Sequence, residues 1–113
     1  MAIEGDIQAV LAALVGGRCY PMVAPDNTIR PYIIFQVVSN VPEVTLDGPV
    51  DTENRRIQID VYDPTYSGVK TLELAIKAAM IAASFTNIPL VSRETYESET
   101  KLYRISLDYS IWT

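Results

Sequence analysis

The sequence predicts an α+β fold, two helices packed on one face of a mainly antiparallel sheet of about five strands. Three observations lead there. Two stretches, 3–15 and 69–83, repeat their apolar residues with the helical period of about 3.6. Two others, 55–63 and 102–112, alternate apolar and polar residues as strands do. The order of elements is helix, short strand, strand, long loop, strand, helix, strand, strand. That order groups neighbouring strands instead of alternating strictly with helices, the α+β layout. At 113 residues, with no Ser/Gly-rich or Pro-rich linker, residues 1–113 are read as one domain.

In the first helix Ile3, Ile7, Val10, Leu11, Leu14 and Val15 form one amphipathic stripe, and Gly16-Gly17 ends it. A short extended piece, RCYPMV, leads into APDNTIRP, where two prolines, Asp26 and Asn27 are turn residues. YIIFQVV, residues 32–38, is rich in β-branched and aromatic side chains, and its near-continuous apolarity predicts a strand buried on both faces. Residues 39–54 hold Pro42, Gly48 and Pro49 together with Glu43, Asp47, Asp51 and Glu53. They are expected to form a long loop, and loops of that length in compact domains are usually functional or disordered.

RRIQIDVYD follows, with Ile57, Ile59 and Val61 on one face and Arg56, Gln58, Asp60 and Tyr62 on the other. Asp63-Pro64-Thr65 opens the second helix, with Asp63 or Thr65 as N-cap. Val69, Leu72, Ile76, Ala79, Met80 and Ala83 make its core stripe, and Glu73 with Lys77 forms an i,i+4 pair expected on the exposed side. Leu74 and Ile81 lie off the stripe and are read as the flank of a wide core face, with a subunit contact as the alternative. Asn87-Ile88-Pro89 stops the helix. LVSRETYE and LYRISLDYSIW then form an antiparallel hairpin around residues 98–101. In the second of these strands Tyr103, Ile105, Leu107, Tyr109 and Ile111 share the core face, while Arg104, Ser106, Asp108 and Ser110 share the other.

Composition excludes more functions than it suggests. A hydrophobic fraction of 49% with 20% charged residues is that of a folded chain. The longest apolar helix candidate contains Lys70, Glu73 and Lys77, so no membrane span is expected. Glu4 and Asp6, with no basic residue before the first apolar run, argue against a secretory signal and for a cytoplasmic origin. There is no histidine, which removes the commonest general base, zinc ligand and partner of a nucleophilic Ser or Cys. Cys19 is the sole cysteine and is read as a buried small residue. A net charge of −5 is opposite to that of a duplex-binding surface.

Carboxylates remain as the one means of catalysis, but Glu43, Asp47, Asp51 and Glu53 do not have the spacing of a calcium loop. Gly16-Gly17 follows a helix and so is not a phosphate loop. Accordingly no enzyme activity, cofactor or metal is expected. The polar strand faces are the remaining feature. Arg56, Gln58, Asp60, Arg104 and Asp108 mix both signs and either face water or contact a neighbouring subunit.

Four signatures spread along the chain, MAIEGDIQAVLAALVGGRCYP, APDNTIRPYIIFQVVS, RRIQIDVYDPTYSGVKTLELAIKAAM and YESETKLYRISLDYSIWT, resemble the small tail-completion proteins of long-tailed phages and prophages. These include the tail-to-head joining and tail-terminator proteins. The resemblance implies a structural virion protein, made in the bacterial host cytoplasm, that forms a ring, commonly a hexamer, at the head-proximal end of the tail. Its partners would be itself, the tail tube protein and the head-tail connector, with DNA passing through without specific binding. It places Glu43, Asp47, Asp51 and Glu53 as candidates facing the lumen or an adjoining ring. It makes Arg56, Gln58, Asp60, Arg104 and Asp108 the candidate subunit-contact face. The rival expectation is a small monomeric carboxylate-dependent metal-binding module or enzyme using Asp47, Asp51 and Glu53.

Overall fold

A computed structural model of the chain describes residues 3–25, 29–45, 48–83 and 86–112; for residues 3, 4, 39–45, 48–54 and 86 the description is of the backbone. The elements are α1 (Ile3–Ala12), continued by a 3-10 turn at Ala13–Val15, β1 (Cys19–Pro21), β2 (Tyr32–Thr45), β3 (Gly48–Asp63), α2 (Tyr66–Ala82), β4 (Thr86–Glu97) and β5 (Leu102–Trp112). The strands form one sheet in the order β1-β2-β3-β5-β4. Short β1 runs parallel to β2 and the other neighbours are antiparallel. This is the expected α+β architecture. β3 and β4, joined through α2, are not paired with each other, because β5 lies between them.

One face of the sheet carries the core. Ile33 and Phe35 of β2, Ile57, Ile59 and Val61 of β3, and Ile105, Leu107, Tyr109 and Ile111 of β5 are buried there against Ile7, Leu11 and Val15 of the first helical segment and Val69, Ile76 and Met80 of α2. Each aliphatic side chain fully withdrawn from water contributes about 1.5–3 kcal/mol, so these helical stripes hold α1 and α2 to the sheet. Gly16, in the left-handed conformation at φ 60°, lets the chain turn from the helical segment into β1. Cys19 is part of this core, and burial pushes its thiol up to about 11.

α2 begins with a satisfied cap. The Thr65 hydroxyl accepts a hydrogen bond from Gly68 N–H at 3.1 Å and donates one to Asp63 Oδ1 at 2.8 Å. At the other end the Met80 carbonyl accepts from both the Ala83 N–H at 3.3 Å and Asn87 Nδ2 at 2.9 Å, which ties the helix end to the start of β4.

Four sequence expectations require correction. Residues 39–54 are not a long loop: β2 runs to Thr45 and β3 starts at Gly48. Register shifts between Val37 and Ser39 and between Pro42 and Val44 let the ladder pass the breaker residues. β2 is not buried on both faces, since Ile34 and Gln36 are half-buried and Val38 is exposed. Glu73 is not on the exposed side; it is 4% exposed, with Lys70 Nζ at 3.0 Å and Lys77 Nζ at 3.5 Å reaching down to it. Leu74 and Ile81 are not core: they are 66% and 86% exposed, because α2 packs on β3 and β5 through a single stripe and none of the described residues lies over its far side.

Candidate functional site

The face of the sheet away from the helices carries the residues that alternation singles out. The register sets Asp60 of β3 opposite Ser106 of β5, Gln58 opposite Asp108, Tyr62 opposite Arg104 and Arg56 opposite Ser110. Asp60 is the centre of this arrangement and is only 6% exposed. It accepts a short hydrogen bond from the Ser106 hydroxyl and bonds from Gln58 Nε2 at 3.1 and 3.2 Å, and it pairs with Arg104 at 3.3 Å. Arg104 also lies 3.8 Å from Glu97 and 5.9 Å from the Tyr62 ring centre, and Tyr62 stacks on Tyr32 at 4.8 Å. Burial pushes the Tyr62 phenol up to about 12, with the nearby Arg104 charge opposing the rise.

Of the five residues named on this face, the structure therefore joins Gln58, Asp60 and Arg104 in one network. Asp108 stands apart from Asp60, with Arg93 of β4 at 3.8 Å, and Arg56 is exposed. Sequence reasoning missed Ser106, Tyr62 and Tyr32 as members. The signal for Ser106 was its place in the alternation, directly between Arg104 and Asp108 on the same face.

The acidic segment takes a different form from the one expected. β3 meets β5 only from Asn54 onward, so residues 48–53 pair with β2 alone, with Glu53 opposite Pro42 and Pro49 opposite Val44. The result is a two-stranded arm reaching about 20 Å past the end of the wider sheet at strand rise. The long axis of the molecule is 52 Å against 25 and 23 Å across, and its 14.9 Å radius of gyration exceeds the roughly 13 Å of a compact domain this size. Glu43, Asp51 and Glu53 belong to the strands of the arm, and Asp47 lies outside the described residues.

Among the described residues no group of three or more His, Cys, Asp or Glu is placed to hold a metal ion. Likewise no helix among them is long and apolar enough to cross a membrane. Tyr109 is core, and Tyr103 lies against Tyr66 and Tyr96 at 5.7 and 4.9 Å between ring centres, the latter two rings being exposed.

The described residues thus present a charged sheet face centred on Asp60, two sheet edges and a projecting arm. Comparison with family models places the chain: residues 7–113 match the model of the tail completion protein gp17 family, and the chain belongs to that family. It is therefore a structural tail completion protein, a component of the phage-type virion tail and not an enzyme. This displaces the rival catalytic reading. No curated protein matches the chain. Among solved structures it is similar to a chain of one described as the virion of a native gene transfer agent (GTA) particle. The TM-score is 0.67 and the identity 20%, with 98% of this chain and 90% of that one covered. At that identity the likeness is one of fold.

Proposed function

We propose that six copies of this chain form a ring at the head-proximal end of the tail tube, stop tube polymerisation and present the surface on which the head-tail connector docks. Membership of the tail completion family supports the placement, and the arm is the observation that carries the contact role. A two-stranded ribbon is marginally stable alone in water, so an arm with no further strand beside it is best explained by a partner that completes it. The acidic residues singled out in the sequence, Glu43, Asp47, Asp51 and Glu53, are then the candidates to face the lumen or the adjoining ring. Six protomers at −5 each carry −30, a field that repels DNA in transit and does not grip it.

In the same reading Arg56 and Arg104 are the members of the polar sheet face that reach a neighbouring subunit. Gln58 and Asp60 hold Arg104 in position, and Asp108 does the same for Arg93 on β4. The deciding experiment is electron microscopy of tails assembled with and without the protein. Overlong or headless tails are expected in its absence, and normal-length tails joined to heads would overturn the assignment.

A further inference from the structure

β1 and β4 are the two edges of the sheet, and each carries apolar surface that the fold leaves uncovered. Beside β4 lies a groove of 530 Å³ whose lining includes Lys77 and Ile81 of α2 and Pro89 of β4, with the buried Tyr109 at its floor. Exposed Leu74, one heptad before Ile81 on the same helix face, and exposed Leu90 on β4 extend it. At the opposite edge the connection that leaves β1 exposes Met22 and Val23, 67% and 72% open to solvent, and Ile29 is exposed on the same connection.

Met22 has a second peculiarity. It sits at φ 68°, a left-handed conformation that costs a residue with a side chain about 1–2 kcal/mol, and its N–H is tied to the Phe35 carbonyl at 2.9 Å. The backbone thus holds a large apolar side chain in a strained turn and directs it to solvent. Strain of this kind gathers at binding positions.

We infer that copies of this chain join head to tail, the Met22–Val23 turn of one copy seating in the α2–β4 groove of the next. The inference rests on the ring reading above and names the surface that builds it. The groove edge and the β1 connection each offer on the order of 300–400 Å² of apolar area, within the range of patches that mark interaction sites. Together they supply the apolar share of an interface of about 1,200–1,600 Å², the size of a stable protein–protein contact. Because the patches are different and lie on opposite edges, one contact leaves both unused patches free. A two-fold dimer would consume a patch on itself, whereas this contact repeats, and a repeated heterologous contact gives a ring when its rotation closes and an open filament when it does not.

Cross-linking in solution tests the contact separately from tail completion. Val23→Cys and Ile81→Cys change exposed positions, and the native Cys19 is buried, so a short bismaleimide reads the introduced thiols. With the full chain at concentrations up to about millimolar, near the effective concentration of linked modules, an equimolar mixture of the two variants is expected to give a heterodimer. Its yield should be at least about tenfold that of either variant alone. The double variant should give a ladder that ends at a closed oligomer. Unchanged circular dichroism and thermal melting of each variant show that folding is intact. A homodimer of Ile81→Cys alone at the yield of the mixture, equal yields in every combination, or no cross-link at any concentration would each overturn the head-to-tail contact. Those results would leave the tail completion reading standing, since that reading fails only on tail length and head joining.

Discussion

Replacing Asp60 by asparagine removes the charge at the centre of the polar sheet face while keeping its shape. The carboxylate accepts from Ser106 and Gln58 and pairs with Arg104, so all of its neighbours present donors. An asparagine in its place offers one acceptor oxygen and turns an NH2 group toward at least one of them. A hydrogen bond to a charged group is worth about 1.5–3 kcal/mol, and breaking a buried ion pair costs about 3–5 kcal/mol. Arg104 is half-buried and keeps Glu97 at 3.8 Å, which lowers the expected loss to about 2–3 kcal/mol by screening and substitution. For a domain of this size that is a fall in Tm of about 8–13 °C, readable by calorimetry, with a parallel drop in the urea midpoint. Ser106→Ala, which removes one donor and leaves the ion pair, should lose about 1 kcal/mol. A change below about 0.5 kcal/mol for Asp60→Asn would refute the reasoning, since the carboxylate would then be no better placed than an amide.

Gly68→Ala, a favourable change in most helices, should destabilise this one by about 0.5–2 kcal/mol in urea melts through loss of the cap. The added Cβ would lie 2.6 Å from the Thr65 hydroxyl oxygen and closer still to Asp63 Oδ1. Burial pushes the Glu73 carboxyl up, but the hydrogen bond from Lys70 and the charges of Lys77 and Lys70 outweigh it and hold the group below its ordinary value of 4.5. The unfolded chain then binds the proton first, so this stabilisation is complete above about pH 5 and is lost as pH falls through 4.5 toward the folded-state value. Urea unfolding of Glu73→Gln should therefore show a flatter acid limb than the parent. Cys19, buried and with its thiol pushed up to about 11, should react with a thiol reagent at pH 8 only as fast as the fold opens, so its labelling should slow to the same extent as unfolding does on cooling.

The parts legible in the sequence are those where one periodicity meets one core. Ile7, Leu11 and Val15, and Ile57, Ile59 and Val61, fall where their spacing puts them because each lies on a single apolar stripe facing a single layer. The arm was hidden because Pro42, Gly48 and Pro49 are loop residues by composition, and two register shifts let strands absorb them. Glu73 was misplaced because an i,i+4 pair is symmetric in sequence, whereas in space lysine stems reach over a carboxylate set lower on the helix. Alternation placed Asp60 on the face away from the helices but carries no information on how tall its cross-strand neighbours are, and Tyr62 and Arg104 shelter it. Leu74 and Ile81 look like core because hydrophobicity is the same whether a helix is covered by its own chain or left open.

The position of β5 has a consequence for the order in which the molecule can form. β4 touches the sheet only through β5, and β3 reaches β4 only across it, so the α2 connection closes a long loop that no local pairing rewards. Either β5 pairs with β3 first and β4 adds to it, or the β4–β5 hairpin docks on β3 as a unit. Until β5 is in place, the groove between α2 and β4 has no floor, since Tyr109 comes from β5. A chain that has not finished folding thus lacks the socket that a second copy would enter, and entry into an assembly becomes a test that only a completed sheet passes.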